Sequence, residues 1–349
     1  MITSKKLLCL CVAIVFLAGC FPTAQQLYPP PTPGSPHKML ENGLGLAQLW
    51  ETTGVAVWKV YGTAPLALLG NFLVLVDSSK NELKPRLLGF DVHTGRLVWE
   101  TSLPGGCFSF FNDQSSIYVG AERSLQSYDS STGLLNWENK DLPSMKIYGM
   151  QIDGNNLVAY YTEAWGNTET QVIYKLDTSN GKLLNTQEIQ NLESELEFQS
   201  GNANYWIGAD ADTTVFSTDK TTSQVRWKTK LDTFITTFKT FGQGTILTTA
   251  HMDDALYAID MEDGHLKWQY SQQMVSNPVI VGEKVFVLIS GEELTQLDLS
   301  TGKKMARARF SPQVGGGEEN RNNLIAASGN LMVVYFADSA QVVVYQLEK

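Results

Sequence analysis

Little of what usually builds an active site is present in this chain. Its 349 residues include four histidines and four cysteines, and only 18% are charged. No run of lysine or arginine occurs, and the formal net charge is −10. That excludes an electrostatic footprint for nucleic acid, and it excludes a surface held to anionic lipid by charge. The longest apolar run, residues 7–17, is far short of the roughly 20 residues a membrane-spanning helix needs. No serine stands in a Gly-x-Ser-x-Gly elbow. Gly315, Gly316 and Gly317 lack the Lys-Ser/Thr of a phosphate loop, and Asp210-x-Asp212 lacks the glycine and distal glutamate of a calcium loop.

The cysteines are Cys9, Cys11, Cys20 and Cys107. Two lysines, Lys5 and Lys6, precede the apolar run, which has the length of the core of an export signal. The run ends Leu17-Ala18-Gly19-Cys20, which resembles the bacterial lipobox. The resemblance implies cleavage before Cys20 and a diacylglyceryl group on its sulfur. Residues 1–19 are then a signal peptide, and loss of two lysines takes the net charge from −10 to −12. Several acyl chains hold a protein at a membrane more firmly than one. Phe21, rather than Asp, follows the cysteine. In a Gram-negative cell that directs the anchor to the outer membrane facing the periplasm; otherwise the outer face of the cell membrane is expected. Six of twelve prolines fall between Pro22 and Pro36, so residues 20–46 are expected to be a lipidated, semi-extended tether. Cys107 alone remains in the mature body, which rules out an intrachain disulfide there. It reads as a small buried hydrophobe, with no neighbouring His or Lys to activate it.

What the chain does have is a repeat. Asp91, Gly95 and Trp99 make one copy of Asp-x-x-x-Gly-x-x-x-Trp; Asp129, Gly133 and Trp137 make a second; Asp260, Gly264 and Trp268 make a third. Three copies are degraded. Asp177 and Gly181 end in Asn185, Asp219 reaches Trp227 through Ser223, and Asp298 and Gly302 end in Ala306. The step between aspartates averages about 41 residues, a period of β-propeller blades.

Residues 270–310 show the unit. Strands are expected at 277–281, 285–290, 294–299 and 303–310, with tight turns between, labelled a to d in chain order. The b strands 72–76, 157–161 and 331–336 are nearly continuous apolar runs, as befits strands covered on both faces. The aspartate ends strand c, where its carboxylate can take backbone N–H groups of the turn. The glycine supplies positive φ, and the tryptophan, in strand d, packs on the neighbouring blade. Residues 342–347 repeat a strand c, with Glu348 at the aspartate position and no strand d after it. Leu49-Trp50-Glu51 matches Val98-Trp99-Glu100, a strand d with no blade before it. The expected fold is therefore all-β: a seven-bladed β-propeller of four-stranded antiparallel blades over 47–349, its ring closed by the N-terminal strand.

In this arrangement the b–c and d–a connections share one face and the a–b and c–d turns the other. The long connections, 77–84, 162–170, 187–197 and 312–323, all fall on the first face, where a repeat scaffold usually carries function. Trp165 and the acidic residues Glu193, Glu195, Glu197, Glu318 and Glu319 make it the candidate face for a protein partner. His93 and His265 lie in c–d turns, and His37 lies in the tether. His251 precedes Asp253 and Asp254 in a b–c turn, which does not by itself complete a metal-ligand set.

The segments Leu88-Gly89-Phe90-Asp91 through Gly95-Arg96-Leu97-Val98-Trp99-Glu100, and Leu256-Tyr257-Ala258-Ile259-Asp260 through Gly264-His265-Leu266-Lys267-Trp268, resemble the PQQ-like repeat of the quinoprotein dehydrogenase superfamily. The resemblance covers about residues 48–349. Within it, an exported lipoprotein of this size is similar to the BamB-like family, subunits of the outer-membrane β-barrel assembly machinery. That family is usually described with eight blades, whereas this sequence gives seven. The resemblance implies a non-catalytic, lipid-anchored scaffold, monomeric and without cofactor, that binds an envelope protein. The alternative is a PQQ-dependent oxidoreductase with Ca²⁺, or a propeller holding another small ligand. Enzymes of that kind commonly place a disulfide of adjacent cysteines over the quinone, and this chain has no such pair.

Overall fold

The computed structural model describes residues 37–348 except 58–64, 79–83, 106, 122–123, 143–146, 148, 166–167, 193–196, 201–204, 210–212, 223, 232–234, 251–254, 291 and 312–322. Every element in the described residues is a β-strand, and no helix there is long and apolar enough to cross a membrane.

The strands form seven sheets, each one blade of a propeller. Blade 1 is β3 (Leu66–Leu69), β4 (Phe72–Asp77), β5 (Arg86–Asp91) and β6 (Leu97–Ser102). Blade 2 is β7 (Cys107–Asn112), β8 (Ser116–Ala121), β9 (Ser124–Asp129) and β10 (Leu135–Asn139). Blade 3 is β11 (Gly149–Asp153), β12 (Asn156–Trp165), β13 (Thr168–Asp177) and β14 (Leu183–Leu192). Blade 4 is β15 (Glu197–Ser200), β16 (Tyr205–Ala209), β17 (Thr214–Asp219) and β18 (Val225–Lys230). Blade 5 is β19 (Ile235–Gly242), β20 (Thr245–Ala250), β21 (Ala255–Asp260) and β22 (Leu266–Ser271). Blade 6 is β23 (Val279–Val281), β24 (Lys284–Ile289), β25 (Glu293–Asp298) and β26 (Lys304–Phe310).

The seventh blade closes the ring. It takes β27 (Leu324–Ser328), β28 (Leu331–Phe336) and β29 (Gln341–Leu347) from the C-terminus, and β2 (Leu46–Thr53) from the N-terminus. β2 pairs with β29 from Leu46↔Leu347 to Thr53↔Gln341, which places Trp50 opposite Val344. Register corrects one detail. Asp91 ends strand c opposite Phe72, the first residue of strand b. The equivalent partner of Leu331 is Gln346, not Glu348. With no covalent turn to accommodate, the ladder runs on past the aspartate position, and the Glu348 N–H still donates to the Gly45 carbonyl at 2.8 Å.

Two features depart from four equal strands per blade. β1 (Met39–Asn42), in the stretch expected to be tether, pairs with the outer edge of β26 and gives blade 6 a fifth strand. Residues 162–170, expected to be a loop, are mostly strand: β12 and β13 have ten residues each where other b strands have five or six. Blade 3 therefore projects further on its b–c side than its neighbours do.

The core lies between blades. Leu73, Val74, Leu75 and Val76 of β4 are all fully buried, because both faces of this central strand are covered. One cluster joins Leu73, Leu75, Leu88 and Phe90 of blade 1 to Val333, Tyr335, Val342 and Val344 of blade 7. Another joins Phe286, Leu288 and Phe310 of blade 6 to Val334, Phe336 and Tyr345 of blade 7. Each such side chain is worth about 1.5–3 kcal/mol on burial, so neighbouring blades hold one another.

Candidate functional site

The two faces of the ring are built differently, beginning with the c–d turns. Each of Asp91, Asp129, Asp177, Asp219, Asp260 and Asp298 is the last residue of a strand c. In every copy its Oδ1 accepts the backbone N–H two residues ahead, at 2.8–3.1 Å. Hydrogen bonds from side chains and amides of the same turn hold the carboxyls below the usual carboxylate range in all six copies. For Asp91 the largest cause is the Thr94 side chain, for Asp129 and Asp298 the Ser131 and Ser300 hydroxyls, and for Asp219 the Thr222 amide. Asp260 is pushed up by burial, but the Glu262 amide and Lys267 outweigh that. The aspartates are thus engaged within their own turns.

The tryptophans are engaged as well. Each ring lies over the turn glycine of the following blade: Trp50 over Gly95, Trp99 over Gly133, Trp137 over Gly181, Trp227 over Gly264, and Trp268 over Gly302. These glycines have φ of 67–78°, a region that penalises a Cβ, and the space is already filled by indole. Trp50, Trp137, Trp227 and Trp268 also donate Nε1–H to a carbonyl of the same turn, at 2.7–3.3 Å. Trp99 stacks in the same way, but its Nε1 has no partner. The degraded copies fit this scheme in pairs. Blade 4 has Ser223 in place of the glycine, and the residue of blade 3 that should cover it is Asn185. Blade 7 has no covalent c–d turn, and blade 6 carries Ala306 where the indole would be. The aspartates, glycines and tryptophans of the repeat are thus taken up by hydrogen bonds and packing within and between the c–d turns.

Residues that could hold a cation occur on this same face. Asp260, Asp263 and His265 bring their ligand atoms within 4.8 Å of one another in the exposed turn of blade 5. Asp263 already bonds His265 at 2.6 Å, and Asp260 pairs with Lys267 at 3.0 Å. Cys107 is buried beside Phe110 and Tyr128, and burial pushes its thiol up to about 12, so it is a packed thiol and no nucleophile. Among the described residues no other group of three His, Cys, Asp or Glu side chains brings its ligand atoms as close together as Asp260, Asp263 and His265 do, and Cys107 has no second described cysteine beside it.

The opposite face carries the b–c and d–a connections. At its blade 1 corner Asp77 is buried and accepts the Ala56 N–H at 3.1 Å, while Arg86 bridges Asp77 to Glu100. In blade 3, Trp165 is the last residue of β12 and pairs with Thr168 across the tip of the long hairpin. Glu197 is the first residue of β15, one blade further on, opposite Ala209. β14 runs to Leu192, so much of the expected 187–197 connection is also strand. Glu193, Glu195, Glu318, Glu319, His251 and Cys20 lie outside the described residues. The structure thus puts Trp165 and Glu197 on the b–c and d–a side of adjacent blades. Sequence gave no signal for one contact at this face, the seat of His37 between blades 6 and 7, described below.

The family model described as outer membrane protein assembly factor BamB matches residues 45–203 and again residues 169–348. The two matches together span the ring. Among solved structures, BamB from Moraxella catarrhalis is similar at 15% identity, covering 90% of this chain and 99% of that one, with a TM-score of 0.48. A computationally designed protein, Ika8, is similar at 13% identity, covering 87% of this chain and 100% of that one, with a TM-score of 0.56. No curated protein matches the chain.

Proposed function

Because the chain belongs to the family of the outer membrane protein assembly factor BamB, we propose that it is a non-catalytic scaffold that docks a protein of the outer-membrane assembly machinery. The observation that carries this reading is the contrast between the faces. The described c–d turns are short, uniform and occupied by their own hydrogen bonds, whereas the b–c and d–a side bears the projecting hairpin of blade 3, and the sequence is acidic in the connections assigned to that side. We assign the docking surface to Trp165, Glu193, Glu195, Glu197, Glu318 and Glu319, which suit a partner with basic side chains around an apolar pocket.

The lipobox at Cys20 supplies the address in this reading. Acylated there, the protein is anchored to the outer membrane on the periplasmic side, and residues 21–36 give the propeller reach from the lipid surface. A Cys20→Ala variant then moves from the membrane to the soluble fraction.

The test of the docking surface is capture of the protein from solubilised native membranes, with identification of what co-purifies. An outer-membrane assembly protein is expected with the wild type. Its recovery falls when Glu193, Glu195 and Glu197 are changed to lysine or Trp165 to alanine. Equal recovery from wild type and variants contradicts the assignment.

A further inference from the structure

Among the described blades, only blade 6 carries a fifth strand. That strand, β1, follows His37, which is buried between blades 6 and 7 and stacks on Phe336 with ring centroids 4.1 Å apart. The His37 ring nitrogens lie 2.7 Å from the Ser311 carbonyl oxygen and 2.9 Å from Oδ1 of Asp338, and its backbone N–H donates to Oε1 of Gln341 at 2.8 Å. Further along, Glu41 stands opposite Arg309 of β26. Its Oε1 accepts from Nε of the diagonal neighbour, Arg307, at 3.1 Å. An extended segment with an acidic side chain is thus paired to an outer edge that carries two cations. Those cations are two residues apart, so they share one face of the strand.

The same pair of cations recurs once around the ring. Arg307 and Arg309 are the first and third residues after Ala306, which holds the tryptophan position of the repeat; Lys228 and Lys230 are the first and third after Trp227. Register agrees, since both pairs follow the same break in the c–d ladder. In blades 1, 2, 3, 5 and 7 the first of these positions is Glu100, Glu138, Thr186, Gln269 and Glu51, so no other blade has the pair. Lys228 and Lys230 are exposed. The sheet of blade 4 ends at β18, whose outer edge has no described strand on it.

We propose that the outer edge of β18 takes an extended acidic segment of a partner protein as a fifth strand of blade 4. The N–H and C=O groups along that edge supply the pairing, and Lys228 and Lys230 select the charge of what pairs. Lysines on an open edge repel a strand that brings cations of its own, which guards against indiscriminate pairing. A strand with acids at alternate positions meets both lysines. An acid opposite Lys230 also reaches Lys228 diagonally, as Glu41 does with Arg309 and Arg307. This edge is opposite in sign to the acidic surface assigned above and does not depend on it.

The probe is a short capped peptide with glutamate at alternate positions, added to the full chain. Hydrogen exchange read by mass spectrometry is expected to slow in residues 225–230 as it binds. Changing Lys228→Glu and Lys230→Glu together should weaken binding about tenfold, as two cross-strand charge pairs turn from favourable to unfavourable. The same peptide with lysine for glutamate should bind that double variant, which also shows that the variant is folded. Methylating alternate backbone nitrogens of the acidic peptide keeps its charge, removes its strand hydrogen bonds and should abolish binding. Equal binding of the methylated peptide overturns the proposal, because charge alone then suffices. So does slowing confined to another segment such as β26, or no binding at all. Self-association of the chain that the double variant removes would assign the edge to a second copy and overturn the partner reading.

Discussion

Trp50, near the N-terminal end of the ring, covers Gly95 in the first full turn of the repeat, and its Nε1–H donates to the Val92 carbonyl at 2.7 Å. A Cβ built on Gly95 would lie 2.7 Å from Cδ2 of that indole. The contact joins the blade that contains both chain ends to the blade that follows it. Gly95→Ala is expected to cost about 2–5 kcal/mol, combining the left-handed backbone penalty with overpacking. Trp50→Ala, at a half-buried site, should cost about 2–3 kcal/mol. With Trp50 removed, Gly95→Ala should cost only the backbone term, about 1–2 kcal/mol. Denaturant midpoints of the four proteins measure this coupling.

Deleting residues 47–52 removes most of β2 and leaves β29 with an open edge. The truncated protein should melt at least about 5 °C lower, given the loss of Trp50 and the ladder. Calorimetry of the two proteins is sufficient, and an unchanged melting temperature would mean that the ring does not depend on this strand.

The turn aspartates give a pH dependence whose sign is set. Their folded carboxyls are depressed by hydrogen bonds, the Thr94 side chain acting most on Asp91 and the Ser131 side chain on Asp129. A depressed carboxyl contributes stability above its unfolded value of about 3.9 and loses it as pH falls through the folded value. Melting temperature should therefore hold down to about pH 4 and drop below it. Asn at Asp91, Asp129 and Asp298 keeps an acceptor without a charge to titrate, and should flatten that drop.

Asp77 offers a third measure of the ring. It is buried, pairs with Arg86 and takes the Ala56 N–H, so Asp77→Ala leaves a guanidinium with one partner fewer and an amide with none. The Arg86 pKa is lowered by burial but raised overall by Glu100 and Asp77. The expected loss is about 3–5 kcal/mol, the usual effect of breaking a buried pair from one side. Chemical denaturation checks it, with surface Glu100→Ala as the milder comparison.

Most of the scaffold was legible because the repeat encodes contacts between blades. The Asp-to-Trp spacing follows from a turn that needs a carboxylate, then a left-handed residue, then an indole aimed at the next blade. Closure was legible for the same reason, since Trp50 fits that pattern with no blade before it. Position 346 was misplaced because glutamine replaces the repeat aspartate there, and only register reveals the equivalence. The hairpin 162–170 looked like a loop because Thr162, Glu163, Thr168, Thr170 and the pair Gly166-Asn167 give no alternation of apolar and polar residues. β1 went unseen because a four-residue edge strand with three exposed side chains has no core-facing pattern of its own. Its seat depends on Ser311, Asp338 and Gln341, about 270–300 residues away along the chain, a pairing that no local rule can reach.

The docking face is the central claim, and site-specific photo-crosslinking in intact cells tests it most directly. A photoreactive residue would be placed at Trp165 or Glu197 on the b–c and d–a side, and at His93 or Ser131 in c–d turns. Adducts to one outer-membrane assembly protein from Trp165 and Glu197, with none from His93 or Ser131, are the predicted result. Adducts from the c–d positions alone would contradict the account.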